Sequence, residues 1–171
     1  MASDETDEIA DAKNREGDEN VSEPIVRPFG YVEDRPIIRG IGNRSLYIGN
    51  GLAADPKHHD QTFRYVLSAT QNEYPLTTHH RPLIDGPDND WSAFERAVET
   101  ARTLYRRDGS LLIHCKAGIS RSSVLVATTL AAEEDRQFND ALAIIQDARP
   151  HAGPNPALHE LAVVYLAAQS R

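Results

Sequence analysis

Residues 110–134 constrain the fold more than any other stretch of the chain. Leu111-Leu112-Ile113 is a short apolar run that ends at His114-Cys115. Lys116-Ala117-Gly118-Ile119-Ser120 follows, and Arg121-Ser122-Ser123 then leads into a second apolar run, Val124 to Ala132. The pattern predicts a buried strand over Ser110–His114, a tight loop, and a helix over Ser122–Glu134. A strand that passes through a loop directly into a helix belongs in an α/β domain. In such sheets ligands bind beyond the carboxyl ends of the strands. A loop at that place aims several backbone N–H groups at one point, with the positive end of the helix behind them. The expected result is an anion site sized for a tetrahedral oxyanion.

Each residue type in the loop then has a chemical reason. Cys115 sits at the base, where N–H groups, the helix end and Arg121 would favour its thiolate and make it a nucleophile. Gly118 lets the chain turn where a Cβ would clash. Arg121 presents a planar fork to two oxygens of an anion, which a lysine cannot copy. The Ser122 hydroxyl can donate to the sulfur and ease its departure, and His114 is expected to hydrogen-bond to the loop and fix it. The N–H groups of Lys116, Ala117, Gly118, Ile119, Ser120 and Arg121 are the candidate substrate-binding set. Without this context a lone cysteine is usually a small buried hydrophobe. The full string His-Cys-x-x-Gly-x-x-Arg-Ser in a strand–loop–helix setting reverses that reading.

The rest of the chain supports one α/β domain. Ser45–Gly49 and Arg64–Ser68 are rich in β-formers, and His80–Ile84 reads as a further strand. Asp55-Pro56 has the look of an N-cap and first helical residue, predicting a short helix toward Phe63. Asp90 is the expected cap of a helix running to about Asp108, with Trp91, Phe94, Val98, Ala101, Leu104 and Tyr105 on its core face and Gly109 as its stop. Helices over Asp140–Arg149, after Asn139, and over Pro156–Gln169, after Asn155, complete the set. Residues 24–43 carry Pro24, Pro28, Pro36, Gly30, Gly40 and Gly42 and read as an extended approach without regular structure. Strands alternating with helices predict a central, mostly parallel β-sheet flanked by helices.

Charge is divided unevenly. The formal net charge is −8, but residues 1–23 hold nine acidic residues against Lys13 and Arg15. That segment has too little apolar surface to offset the entropy of ordering and is expected to be a disordered acidic tail. Residues 24–171 form the expected domain, and its charge is close to neutral, so a locally positive pocket around Lys116 and Arg121 is possible. An overall acidic chain argues against nucleic acid as the main partner. The Val124–Ala132 run is far short of the roughly 20 residues that cross a bilayer, so no transmembrane segment is expected. No signal peptide is visible. A single cysteine excludes an internal disulfide or a multi-cysteine zinc cage, and an unpaired thiol fits a reducing, cytoplasmic setting. His58-His59 and His79-His80 are neighbours that do not share a face, so neither pair chelates easily. No metal and no cofactor are expected.

The string His114-Cys115-Lys116-Ala117-Gly118-Ile119-Ser120-Arg121-Ser122 resembles the signature of the cysteine-based dual-specificity protein phosphatases, within the protein tyrosine phosphatase superfamily. Leu46-Tyr47-Ile48-Gly49 is similar to that family's first strand, and Tyr65-Val66-Leu67-Ser68-Ala69-Thr70 to its next. Arg149-Pro150, followed by Pro154-Asn155, resembles the segment after its penultimate helix. The resemblance spans roughly residues 44–168. It implies a phosphatase-like fold, phosphoprotein substrates, and hydrolysis through a phosphocysteine without metal. It also implies that Asn155 braces the phosphate loop. Such a mechanism needs a general acid on a separate loop, for which Asp85, Asp88 and Asp90 are candidates. Asp85 directly ends an apolar stretch and matches the family's acid in position. Asp90 is the expected helix cap, and Asp88 is the rival because Gly86-Pro87 could re-aim the loop. The implied activity is removal of phosphate from tyrosine, and from serine or threonine. The alternatives are a phosphatase for lipid or small-molecule phosphates and a silent phosphate-binding module. Lys116 is the one extra base in the loop, and the neutral Ile119 and Ser120 lean toward protein substrates.

Overall fold

The computed structural model describes residues 33–170. The expected tail over 1–23, and the start of the approach over 24–43, lie outside the described residues. Among the described residues the sheet has five strands: β1 (Ile38–Gly40), β2 (Leu46–Gly49), β3 (Tyr65–Ser68), β4 (His79–His80) and β5 (Leu111–His114). Their spatial order is β1-β2-β5-β3-β4. Only β1, on the edge, is antiparallel to its neighbour; the pairs β2–β5, β5–β3 and β3–β4 are parallel. The expected mostly parallel sheet is therefore present. Within residues 24–43, expected to lack regular structure, Ile38–Gly40 forms β1 by pairing with β2.

Alternation along β5 shows how the two faces are filled. Leu111 and Ile113 point into a large core shared with four helices, while Leu112 points to the other face with Ala53, Ala54 and Val66. The helices are α1 (Trp91–Arg106), α2 (Arg121–Glu133), α3 (Phe138–Ala148) and α4 (Pro156–Gln169). α2 is the centre of that layer and packs against α1, α3, α4, β2 and β5. Every residue from Ser122 to Ala131 is buried, which explains why its sequence reads as a continuous apolar run rather than a one-sided stripe. Its far end is clamped by Glu134, whose carboxylate takes Arg44 Nε at 2.7 Å and Nη2 at 2.8 Å.

Several local expectations need correction. No helix follows Asp55-Pro56. Instead Gly51–Ala54 forms a short 3-10 turn capped by the Asn50 side chain, and Asp55 ends it in an extended conformation. The segment beyond is fixed by side-chain-to-backbone bonds, Asp55 Oδ1 accepting from Lys57 N and His59 Nε2 reaching Ala53 O, which compete with helix formation. The expected strand His80–Ile84 shrinks to His79–His80 because Pro82 has no N–H to continue a ladder. Asp90 does precede α1, but its carboxylate makes no capping bond. α3 begins at Phe138 after Gln137, not after Asn139; burial of Phe138 against His159, 4.6 Å between ring centroids, draws its start forward. Trp91, expected in the core, is 38% exposed and lies at the rim beside Phe94 and Tyr165. Asn155 caps α4 as expected, its Oδ1 accepting from Ala157 N at 2.9 Å.

Candidate active site

Gly49 and Ser68 are both in register with His114, so β2, β5 and β3 end level with one another. The loop Cys115–Ser120 rises from that edge and ends where α2 begins. Its four central carbonyls, Lys116 to Ile119, are engaged from outside. Gly51 N donates to Lys116 O at 3.1 Å and Gly153 N to Ile119 O at 2.9 Å. Arg149 donates through Nη2 to Ala117 O at 3.2 Å and through Nε to Gly118 O at 3.3 Å. A trans peptide sets its N–H opposite its C=O. Four consecutive carbonyls turned outward therefore turn the N–H groups of Ala117, Gly118, Ile119 and Ser120 inward. None of those N–H groups has a hydrogen-bond partner among the described residues. They form a ring of free donors at the positive end of α2.

Gly118 makes this curvature possible. Its φ is +69°, and a Cβ there would lie 2.9 Å from the carbonyl carbon and oxygen of Gly49. Only glycine fits both demands. Gly49 is as constrained: a Cβ would stand 2.6 Å from Ile37 O.

Cys115 lies at the base of the ring, 2% exposed. Its sulfur is 3.2 Å from Ser122 Oγ, on the first turn of α2. Arg121 stands on the same turn and its Nη1 is tethered by the carbonyls of Leu83 at 3.3 Å and Ala69 at 3.4 Å. Those carbonyls belong to the segments after β4 and β3, so the guanidinium is steered by two neighbouring loops, and among the described residues no carboxylate pairs with it. Lys116 is exposed on the rim.

His114 sits beneath the loop, fully buried. Burial pushes its imidazole down to about 4, with the nearby Arg121 and His80 acting the same way against its bond to Cys115 O. The ring is therefore neutral at pH 7. Its Nδ1 lies 3.4 Å from Cys115 O and its Nε2 2.5 Å from Ser68 Oγ. A carbonyl only accepts, so Nδ1 carries the proton and Nε2 accepts from Ser68. Ser68 Oγ in turn is 2.7 Å from Thr77 Oγ1, which takes Tyr74 N at 2.9 Å. One directed line of hydrogen bonds thus runs from the 70–78 segment through His114 to the carbonyl of Cys115. The Tyr74 ring closes the line edge-on at 5.1 Å.

Of the three candidate acids, Asp85 reaches the loop. Its Oδ1 accepts from Ser120 Oγ at 2.6 Å. Asp88 and Asp90 are exposed and make no side-chain hydrogen bond among the described residues. The 84–89 turn is stapled by Asn89, whose side chain bonds Ile84 N, Ile84 O and Gly86 O. Asn155 meets the loop through its backbone, its N–H donating to Ser120 Oγ at 2.8 Å, while its side chain caps α4.

Three contributors have roles that the sequence reading did not assign. Asn50 is fully buried and its side chain binds Ile37 N, Arg35 O and Ala53 N, fixing the strand end beside Gly51; the Asn50-Gly51 pair after a strand was its only clue. Arg149 is 4% exposed and pairs with Glu33 at 3.4 Å. Ser68 is a small residue in an apolar strand. Among the described residues no group of three or more histidine, cysteine, aspartate or glutamate side chains is placed to hold a metal. His59 and His80 spend a ring nitrogen on Ala53 O and Thr70 O.

A family model described as dual specificity phosphatase, catalytic domain, matches residues 46–165. Among curated proteins, mouse dual specificity protein phosphatase 19 is 34% identical over 141 residues, covering 77% of this chain and 64% of that protein. Human dual specificity protein phosphatase 15 is 31% identical over 124 residues, 67% of this chain and 41% of the relative. The chain thus spans less than two thirds of the length of either. The crystal structure of human DUSP28 superposes with a TM-score of 0.70 at 21% identity, covering 82% of this chain and all of the other, which bears on the fold alone. From the family match across the sheet, the loop and the helices behind it, the chain belongs to the dual specificity phosphatase catalytic-domain family.

Proposed function

We propose that the chain is a cysteine-dependent phosphatase that hydrolyses phosphotyrosine, and phosphoserine or phosphothreonine, in proteins. The observation that carries the reading is the buried thiol of Cys115 at the centre of the ring of outward carbonyls, with Arg121 and the start of α2 on the same loop. In the first step the Cys115 thiolate attacks phosphorus. The bond from phosphorus to the leaving oxygen breaks, and Asp85 supplies that oxygen with a proton. The inward N–H groups and Arg121 hold the three remaining oxygens as their charge redistributes. In the second step the Asp85 carboxylate takes a proton from water, which attacks the phosphocysteine. The sulfur–phosphorus bond breaks toward Cys115, and Ser122 Oγ–H, 3.2 Å away, donates to the departing sulfur. No step calls for a metal.

The low share of basic groups on the rim, with Ile119 and Ser120 neutral beside Lys116, supports a protein substrate over a polyanionic lipid headgroup. An unpaired nucleophilic thiol needs a reducing compartment, which supports a cytoplasmic setting. No helix among the described residues is long and apolar enough to cross a membrane.

The test is aryl-phosphate hydrolysis by the wild type, Cys115→Ser, Asp85→Asn and Asp88→Asn with a chelator present, followed by a panel of phosphopeptides, phosphoinositides and sugar phosphates. Turnover that survives chelation, vanishes in Cys115→Ser and is fastest on phosphopeptides is expected. Wild type that binds phosphate without turnover, or that prefers phosphoinositides, would overturn the reading. Asp88→Asn more damaging than Asp85→Asn would reassign the acid.

A further inference from the structure

We infer that Ser120 is a positioning residue for the proton-transfer step: its side chain latches Asp85 onto the phosphate loop and dictates which carboxylate oxygen carries the proton. This rests on the reading of Cys115 as nucleophile and Asp85 as acid. Nothing in that reading uses the Ser120 side chain, since the loop needs only its backbone N–H.

The proton count at Ser120 Oγ carries the inference. Asn155 N–H donates to this oxygen at 2.8 Å. A backbone N–H cannot accept, so the single hydroxyl proton is free to point elsewhere. It points to Asp85 Oδ1 at 2.6 Å. Oδ1 is therefore an acceptor in this arrangement, and a proton destined for the leaving group must sit on Oδ2. The other approach to Asp85 is fixed as well, because Asn89 ties the backbone on both sides of it, at Ile84 and Gly86. An exposed carboxylate on a turn would otherwise sample several rotamers. Here it is held from below by the start of α4, through Asn155 and Ser120, and from the side by Asn89. The acid loop, the phosphate loop and α4 meet at one hydroxyl.

A residue that orients the acid matters most when the leaving oxygen is a poor one, since an activated aryl oxide departs with little need of a proton. The experiment is kcat/KM across a series of phosphate monoesters running from activated aryl esters to an alkyl ester, for wild type, S120A, S120T, D85N and the S120A/D85N pair. S120A is expected to lower kcat/KM about tenfold more for the poorest leaving group than for the best. S120T, which keeps a hydroxyl, is expected to restore most of that difference. The double variant is expected to match D85N alone, because a latch has nothing to hold once the acid is gone. A loss in S120A that is equal across the series would mean that Ser120 merely supports the loop, and would overturn the inference while leaving the acid in place. Additive losses in the double variant would do the same. If D85N itself shows no dependence on the leaving group, Asp85 is not the acid and both readings fall together.

Discussion

Acid should destabilise this fold through one imidazole, and the size of the effect can be worked from its position. His114 is closed in beneath the phosphate loop, and burial lowers it from the ordinary 6.5 to about 4. Between those two values the unfolded chain holds a proton at this site and the folded chain does not. Unfolding then takes up a proton, so falling pH favours the unfolded state. The stability tied to a neutral His114 is intact above pH 6.5 and is lost progressively as pH falls toward 4. From pH 7.5 to pH 5.0 a gap of that size amounts to about 2 kcal/mol, and below pH 4 it levels off near ~3 kcal/mol. The perturbation is His114→Asn, which keeps a donor and an acceptor but does not titrate. Urea unfolding at pH 7.5 and 5.0 gives the free energies, provided the slope with denaturant is the same for both proteins. The wild type should lose about 2 kcal/mol more than the variant over that interval. Glu134 does not interfere, since Arg44 leads in holding it at about 2 and its contribution disappears only as pH falls below its ordinary 4.5. His79, lowered by burial first and then by Arg107 and Arg81, acts in the same direction but is present in both proteins. Parallel losses in the two proteins would refute the argument. If His114→Asn does not fold, the wild-type ring can be followed directly by NMR, and titration near 6.5 would refute it equally.

Two further perturbations address the loop. Gly118→Ala places a Cβ 2.9 Å from Gly49 backbone at φ +69°; the left-handed conformation alone costs about 1–2 kcal/mol, and a paired strand end cannot yield. Turnover of an aryl phosphate should fall at least about 100-fold, and wild-type kcat/KM would contradict the geometry. Arg149→Met removes the guanidinium that faces Glu33 and holds two loop carbonyls; losing two buried hydrogen bonds to the loop costs about 1–3 kcal/mol, read as a lowered urea midpoint. A wild-type midpoint in Arg149→Met would mean that the loop carbonyls are held without it.

The sequence disclosed what is local. The Leu111–Ser123 segment holds strand, loop, cysteine and arginine within thirteen consecutive residues, and its periodicity and its glycine speak for the geometry without help from elsewhere. Asn155-Pro156 likewise states a cap and a first helical residue, and both are found. What failed was set by contacts between distant segments. Asp55-Pro56 has good helix-start chemistry, yet Asn50 had already spent the preceding residues on a tighter turn. Trp91 has core spacing on α1, but it stands at the helix's first position, where the layer ends. Asp90 has the right side chain for a cap, and the carbonyl alone accepts from Ala93 and Phe94.

The same division runs through the site. The loop residues that would touch substrate are contiguous, whereas those that give the loop its shape are scattered over Gly51, Arg149, Gly153 and Asn155. Gly51, Gly153 and Asn155 each contribute a single donor to one oxygen of the loop, and Arg149 contributes two; apart from Asn155 and the Arg149-Pro150 pair, which the family resemblance marks, residue type alone gives them no distinction. Their effect is nevertheless decisive. A six-residue loop cannot keep four carbonyls turned outward by its own torsions, because each peptide is free to flip unless its oxygen is held. The anion site is therefore a property of the helix layer and the β2 edge as much as of the signature string. A substitution that spares Cys115 and Arg121 but lets one peptide turn, as Arg149→Met would at Ala117 and Gly118, exchanges an inward N–H for an inward oxygen. That reverses the sign of the dipole facing the phosphate. A chain can thus keep the full family string and lose the site, and the outward donors are where such a loss would first be seen.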